Sequence, residues 1–111
     1  MRLWIDDVRP APWGHVWCKS VNEAKNTILM QEAVALDNKI DGYPDSYERL
    51  EYIDIDHDAG DFSSDGGDYI KLLDWLEETG RNYPIRIHSQ NPVGVQNMRR
   101  IIERNGWKEV K

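Results

Sequence analysis

The chain has little of what usually marks a secreted, membrane-spanning or nucleoside-triphosphate-hydrolysing protein. Its 111 residues include one cysteine, Cys18, which can close neither an internal disulfide nor a cysteine-based zinc site. No apolar run approaches the roughly 20 residues that a membrane span needs, and no basic start precedes an apolar stretch as in a secretory signal. These shortages lead us to expect a soluble protein of a reducing cytoplasm with no membrane partner. A Gly-x-x-x-x-Gly-Lys-[Ser/Thr] loop is missing, which excludes a P-loop ATPase, and no Gly-x-Gly-x-x-Gly follows the first apolar segment, as a dinucleotide site would require. Ser89 stands beside His88 outside any Gly-x-Ser-x-Gly elbow, so a hydrolase triad has no support. Positive charge is also short: 14 Lys+Arg against 20 Asp+Glu leave a net charge of −6. That balance argues against duplex DNA held by phosphate neutralisation, though not against a small nucleotide.

What is there is aromatic and acidic. Phenylalanine occurs once, but five Trp and five Tyr can supply much of a modest core, and the length suits one domain over residues 1–111. Residues 41–68 carry ten acids and one base, whereas residues 81–111 carry seven bases and two acids. Solvated faces of opposite sign would explain this. A cation site on the acidic stretch, with an anion site on the basic side, would explain it too.

Arg2-Leu3-Trp4-Ile5, His15-Val16-Trp17-Cys18, Tyr52-Ile53-Asp54-Ile55 and Pro84-Ile85-Arg86-Ile87 read as strands, and Trp107 to Val110 as a short final one. Ser20-Val21-Asn22-Glu23 has capping-box spacing and opens a helix with Ala24, Ile28, Leu29, Ala33 and Leu36 at helical intervals. Residues 37–50 read as a polar loop or insertion. Tyr69, Ile70, Leu72, Leu73 and Leu76 mark a second helix, closed by Gly80. Asn91 as N-cap and Pro92 at the first position open a third, which Asn105-Gly106 ends. Strands alternating with helices imply right-handed crossovers and a mostly parallel sheet of about five strands.

In such sheets ligands sit beyond the carboxyl ends of the strands. The reactive side chains fall at those ends: Asp6 and Asp7 after the first strand, Asp56, His57 and Asp58 after the third, His88 and Ser89 after the fourth. Carboxylates from two neighbouring strand ends suit Mg²⁺, a hard ion that prefers oxygen ligands. Asp54, Asp56 and Asp58 imitate the start of a calcium loop, but Gly60 and Asp65 fall wrongly and a strand precedes them, so an EF-hand fails. Two histidines beside carboxylates could divide general acid and general base between them, as attack on a phosphodiester needs. His15 lacks such a setting and reads as structural. Asn91 either caps its helix or, with the helix start and Arg86, Arg99 and Arg100 nearby, helps to attract phosphate.

Three runs carry a resemblance. Leu3 to Pro12 with Asp6-Asp7 and Arg9-Pro10, Ile55-Asp56-His57-Asp58-Ala59-Gly60, and Ile87 to Gly94 with Asn97-Met98 resemble, in this order, the cyclic-phosphate processing receiver-like domain. The chain departs from that pattern at Ala59, where Leu is usual, and at Gly66-Gly67-Asp68-Tyr69, where Thr-Gly-Tyr-Asp is commoner; no lysine is securely aligned at the end of the last strand. The resemblance implies a three-layer receiver-like, flavodoxin-like α/β domain that has lost the first receiver helix, and with it one face of the scaffold. It implies Mg²⁺ or another divalent cation on Asp6, Asp7 and Asp56, and His57 and His88 as acid and base. It further implies a cyclic phosphate on a nucleotide or RNA end, held by Arg9, Asp58, Ser89 and Asn91. The expectation is a metal-assisted phosphoesterase. The alternatives are a non-catalytic receiver-like module binding a nucleotide or a protein partner and, last, a receiver phosphorylated on Asp56.

Overall fold

Four short segments rich in β-branched and aromatic residues pair in parallel into one sheet: β1 (Arg2–Ile5), β2 (His15–Cys18), β3 (Tyr52–Ile55) and β4 (Ile85–Ile87), in the order β2-β1-β3-β4. The computed structural model describes residues 1–40 and 49–111, and the side chains of all of these except 37–40. Three helices connect and follow the strands: α1 (Val21–Ile40), α2 (Ile70–Glu78) and α3 (Pro92–Asn105). The register sets Trp4 beside Trp17 and Asp54, and Asp54 beside Arg86.

Strand alternation sorts the residues onto two faces. Leu3, Ile5, Ile53, Ile55 and Ile85 share one core with Val21, Ala24 and Ile28 of α1, Leu72, Leu73 and Leu76 of α2, and Met98, Ile101 and Ile102 of α3. All three helices therefore cover the same face. The other face carries Trp4, Asp54 and Arg86 in one row across three strands. The missing first helix explains this asymmetry, because residues 6–14 join β1 to β2 without one. The link takes part of the helix's place: the Trp4 indole N–H donates to the Arg9 carbonyl at 2.8 Å.

The ends of the helices follow their sequence signals. The Glu23 amide donates to Ser20 Oγ at 3.0 Å, and Glu23 Oε2 accepts from the amide of Lys19. Asn91 Oδ1 accepts from the Gly94 amide at 3.0 Å with Pro92 behind it, and Gly106 closes α3 at φ 68°. Two expectations need correction. Helix α1 runs to Ile40, past the expected start of a loop at 37, and Leu29 and Leu36 are exposed on its outer side, whereas Val21, Ala24, Ile28 and Gln31 are buried. The rest of the expected insertion, residues 41–48, lies outside the described residues. The fifth strand shrinks to one bridge, Ile85 to Glu109, held by the Ile85 amide on Lys108 O and the Val110 amide on Ile85 O. Strand β4 is three residues long and Pro84 before it has no N–H to offer, so a longer ladder lacks partners. Among the described residues no helix is long and apolar enough to cross a membrane.

Candidate functional site

Because the four strands are parallel, their carboxyl ends share one edge. The ladder continues one step beyond the strands: the Asp56 amide donates to Ile5 O at 2.9 Å and the His88 amide to Ile55 O at 3.0 Å. Asp6, Asp56 and His88 are thus neighbours. Each follows by two residues a member of the row Trp4, Asp54 and Arg86, so all project from the face without helices.

These six residues and Arg9 form one hydrogen-bonded network. The His88 ring crosses over β3, reaching Asp54 Oδ1 with Nδ1 at 2.5 Å and Asp6 Oδ2 with Nε2 at 2.9 Å. Both ring nitrogens of His88 thus face carboxylates. Beneath it the Trp4 indole lies parallel at 3.8 Å. Arg86 closes one end on Asp54 Oδ2 at 2.8 Å. At the other end the Arg9 guanidinium spans Asp6 Oδ2, 3.0 Å from Nε, and Asp56 Oδ2, 3.2 Å from Nη2. Along the run Arg86, Asp54, His88, Asp6, Arg9, Asp56 every carboxylate has a basic side chain beside it, as buried carboxylates require. Burial pushes the Asp6 carboxyl up, but the amides of Arg9 and Val8, His88 and the Arg9 charge outweigh it and hold the group below the usual range. Burial likewise opposes ionisation of Asp54, and His88 and Arg86 overcome it.

His57 points the other way. It lies one residue past Asp56, so alternation turns it toward α3, where its ring rests on the backbone of Gly94. A β-carbon on Gly94 would stand 2.5 Å from His57 Cγ. His57 Nδ1 faces Asp58 Oδ1 at 2.7 Å, and Nε2 has no hydrogen-bond partner among the described residues. His57 thus faces α3, whereas His88 is engaged in the network on the other face of the sheet.

The remaining expected site residues are used locally. Asp58 engages His57 instead of offering donors to an anion. Ser89 Oγ accepts from the Asn91 amide at 3.1 Å, and Asn91 Oδ1 caps α3. Asp7 turns away from Asp6 and Asp56 toward Gly60, where an added β-carbon would lie 2.3 Å from Asp7 Oδ2. Trp4 is not among the expected site residues, Asp54 enters only through the failed calcium loop, and Arg86, expected to help attract phosphate, is paired with Asp54. Their signal is period two: each stands two residues before Asp56, His88 and Asp6 and shares its face, and a charged residue inside an apolar strand needs a partner of opposite sign.

A receiver-type Mg²⁺ site does not fit these residues as they stand. Asp6, Asp56 and His88 do present ligand atoms within 4.8 Å of one another. The two carboxylates, however, already share the Arg9 guanidinium. Both Asp6 oxygens carry two donors each: the Val8 and Arg9 amides on Oδ1, Arg9 Nε and His88 Nε2 on Oδ2. Asp56 is buried, with His57 N on Oδ1 and Arg9 on Oδ2, which also leaves little room for phosphorylation of Asp56.

The family model described as the cyclic-phosphate processing receiver domain matches residues 1–104. No curated protein and no solved structure matches the chain. Among the described residues the matched span takes in β1 to β4, α1, α2, all but the last residue of α3 and the whole network at the carboxyl edge, and on this match the chain belongs to the cyclic-phosphate processing receiver domain family.

Proposed function

We propose that the chain hydrolyses a cyclic phosphate ester on a nucleotide or RNA end, with His57 as the proton-transfer residue. The observation that carries this reading is the state of the His57 ring: Nδ1 engaged by Asp58 at 2.7 Å, and Nε2 without a hydrogen-bond partner among the described residues. A carboxylate on Nδ1 fixes the proton there and leaves the lone pair on Nε2, the form a general base needs. Nε2 takes a proton from the attacking water, the water oxygen bonds to phosphorus, and the bond to one ribose oxygen breaks. That oxygen takes its proton from solvent, because both nitrogens of His88 are engaged by carboxylates.

Arg9, on the opposite side of the edge from His57, supplies positive charge to a phosphate lying over the strand ends between them. Its side chain is about half exposed while anchored to both acids, so a free N–H can meet an anionic oxygen without reorganising the network. His88 is a positioning residue in this scheme, holding Asp6 and through it Arg9. The family assignment supports the substrate class. The reaction and the residue roles are our reading.

A second reading is a receiver-like module that binds a nucleotide or protein partner without turnover. It is favoured by the closure of the Asp6–His88 network, whose donors and acceptors satisfy one another. The experiment that separates the two is incubation with 2′,3′- and 3′,5′-cyclic nucleotides and RNA ending in a cyclic phosphate, with and without divalent cation. Linear monophosphate formed by the wild type and not by His57→Ala supports hydrolysis. Saturable binding with no product supports the module.

A further inference from the structure

We infer that Arg9 is the resident cation of this site, standing where a receiver domain holds its divalent ion, so that the chain folds and binds without one. The inference concerns the cation alone and holds whatever the substrate proves to be.

The geometry has three parts. First, Asp6 and Asp56 come from neighbouring strands and would repel each other without a positive charge between them; the guanidinium supplies it, with separate nitrogens on the Oδ2 atoms of the two acids. Second, Arg9 is held there by its own backbone. Its amide donates to Asp6 Oδ1 at 2.8 Å and its carbonyl accepts the Trp4 indole N–H at 2.8 Å. The loop thus returns to the acid that opens it, and only side-chain torsions remain to be ordered. A guanidinium stays charged at any ordinary pH and forks readily between carboxylates. Third, the second acid of the Asp6-Asp7 pair, which a receiver-type site would use, faces Gly60 and stands outside the cluster.

It follows that removal of Arg9 should uncover a metal site that the wild type lacks. Asp6, Asp56 and His88 would then offer two carboxylates and one imidazole within 4.8 Å. That mixed set suits Mn²⁺ or Zn²⁺ better than Mg²⁺, which prefers oxygen ligands alone.

The test uses the whole chain, stripped with chelator and titrated with MgCl₂, MnCl₂ or ZnCl₂, followed by thermal melting and by calorimetry. For the wild type we expect no saturable heat and no change in melting temperature. Arg9→Ala, with Arg9→Gln as the variant closer in volume, should melt lower without metal and recover by roughly 5 °C or more with Mn²⁺ or Zn²⁺ near saturation. The double change Arg9→Ala, Asp56→Asn should lose that recovery. Saturable binding of any of the three ions by the wild type, abolished by Asp56→Asn, would overturn the inference. So would a folded Arg9 variant as stable as the wild type and indifferent to metal, because the acids would then need no cation. Should neither Arg9 variant fold, wild-type calorimetry decides alone: no heat upholds the inference and a saturable isotherm rejects it. None of these readouts depends on turnover of a cyclic phosphate, so failure here and failure of the hydrolysis reading are separable.

Discussion

The imidazole of His88 lies flat on the indole of Trp4, with ring centres 3.8 Å apart and planes within 2° of parallel. A stack fixes the plane of the ring, and the two nitrogens in that plane then point at Asp54 and Asp6. Trp4 is thus both a buried apolar body and the platform on which the charged network is levelled.

Trp4→Ala should destabilise the protein by about 3–5 kcal/mol, the usual cost of truncating a large buried aromatic. Trp4→Phe should cost less, since it keeps a ring under His88 and gives up chiefly the indole donor to Arg9 O, a bond worth about 1 kcal/mol net. Urea titrations of the two variants should rank them in this order.

The two histidines should fail in different ways. His57→Ala should lower turnover by roughly 10²–10⁴-fold and cost less stability than His88→Ala, because its partner Asp58 is exposed to water and is not left as a buried charge. His88→Ala should act first on stability, by about 3–5 kcal/mol, since it strands two buried carboxylates without their shared donor. Equal stability losses in the two variants would contradict this division, and thermal melting beside the cyclic-phosphate assay measures both sides of it.

Gly94→Ala tests the seat of His57. Alanine is the better helix former by about 1 kcal/mol, and nothing about the Gly94 backbone requires glycine. The added carbon would nonetheless meet the His57 ring at 2.5 Å. The ring must move, so a loss of activity with little loss of stability is expected. Full activity in Gly94→Ala would show that the ring position is unimportant to the reaction.

Stability should fall in acid for a definite reason. The carboxyls of Asp6 and Asp54 are held below their ordinary value in the folded state. A depressed group contributes stability above its unfolded value, near pH 3.9 for aspartate. That contribution disappears as pH drops through the folded value. The urea midpoint should therefore hold steady on the way down to about pH 4 as far as these two groups are concerned, then decline. Asp54→Asn should start lower at pH 7 and decline less steeply below pH 4. A decline of the same slope in both proteins would remove Asp54 from the acid response.

Much of this was legible in the chain. The alternation of apolar segments, the Ser20 and Asn91 caps and the Gly80 and Gly106 stops are local signals, and their backbone consequences stay within a few residues. The end of α1 was harder. The polar residues after Leu36 suggest a loop, yet the backbone stays helical to Ile40. The final strand is shorter than its residues suggest: Lys108 to Val110 has strand character, but pairing depends on the groups β4 can offer, and β4 has three residues.

By itself the sequence determined the parallel sheet, the edge on which the acids and histidines gather, and the family, because strand order and strand-end residues are written in one dimension. Only the tertiary structure decided what those residues do to one another. Whether His88 meets a substrate or two carboxylates depends on its ring crossing β3 to Asp6, 82 positions away in the chain. Whether Asp6 and Asp56 take a metal ion or Arg9 depends on the turn that brings the guanidinium back over the acids. Charges in a buried cluster choose partners by distance and desolvation in three dimensions, and spacing along the chain carries neither.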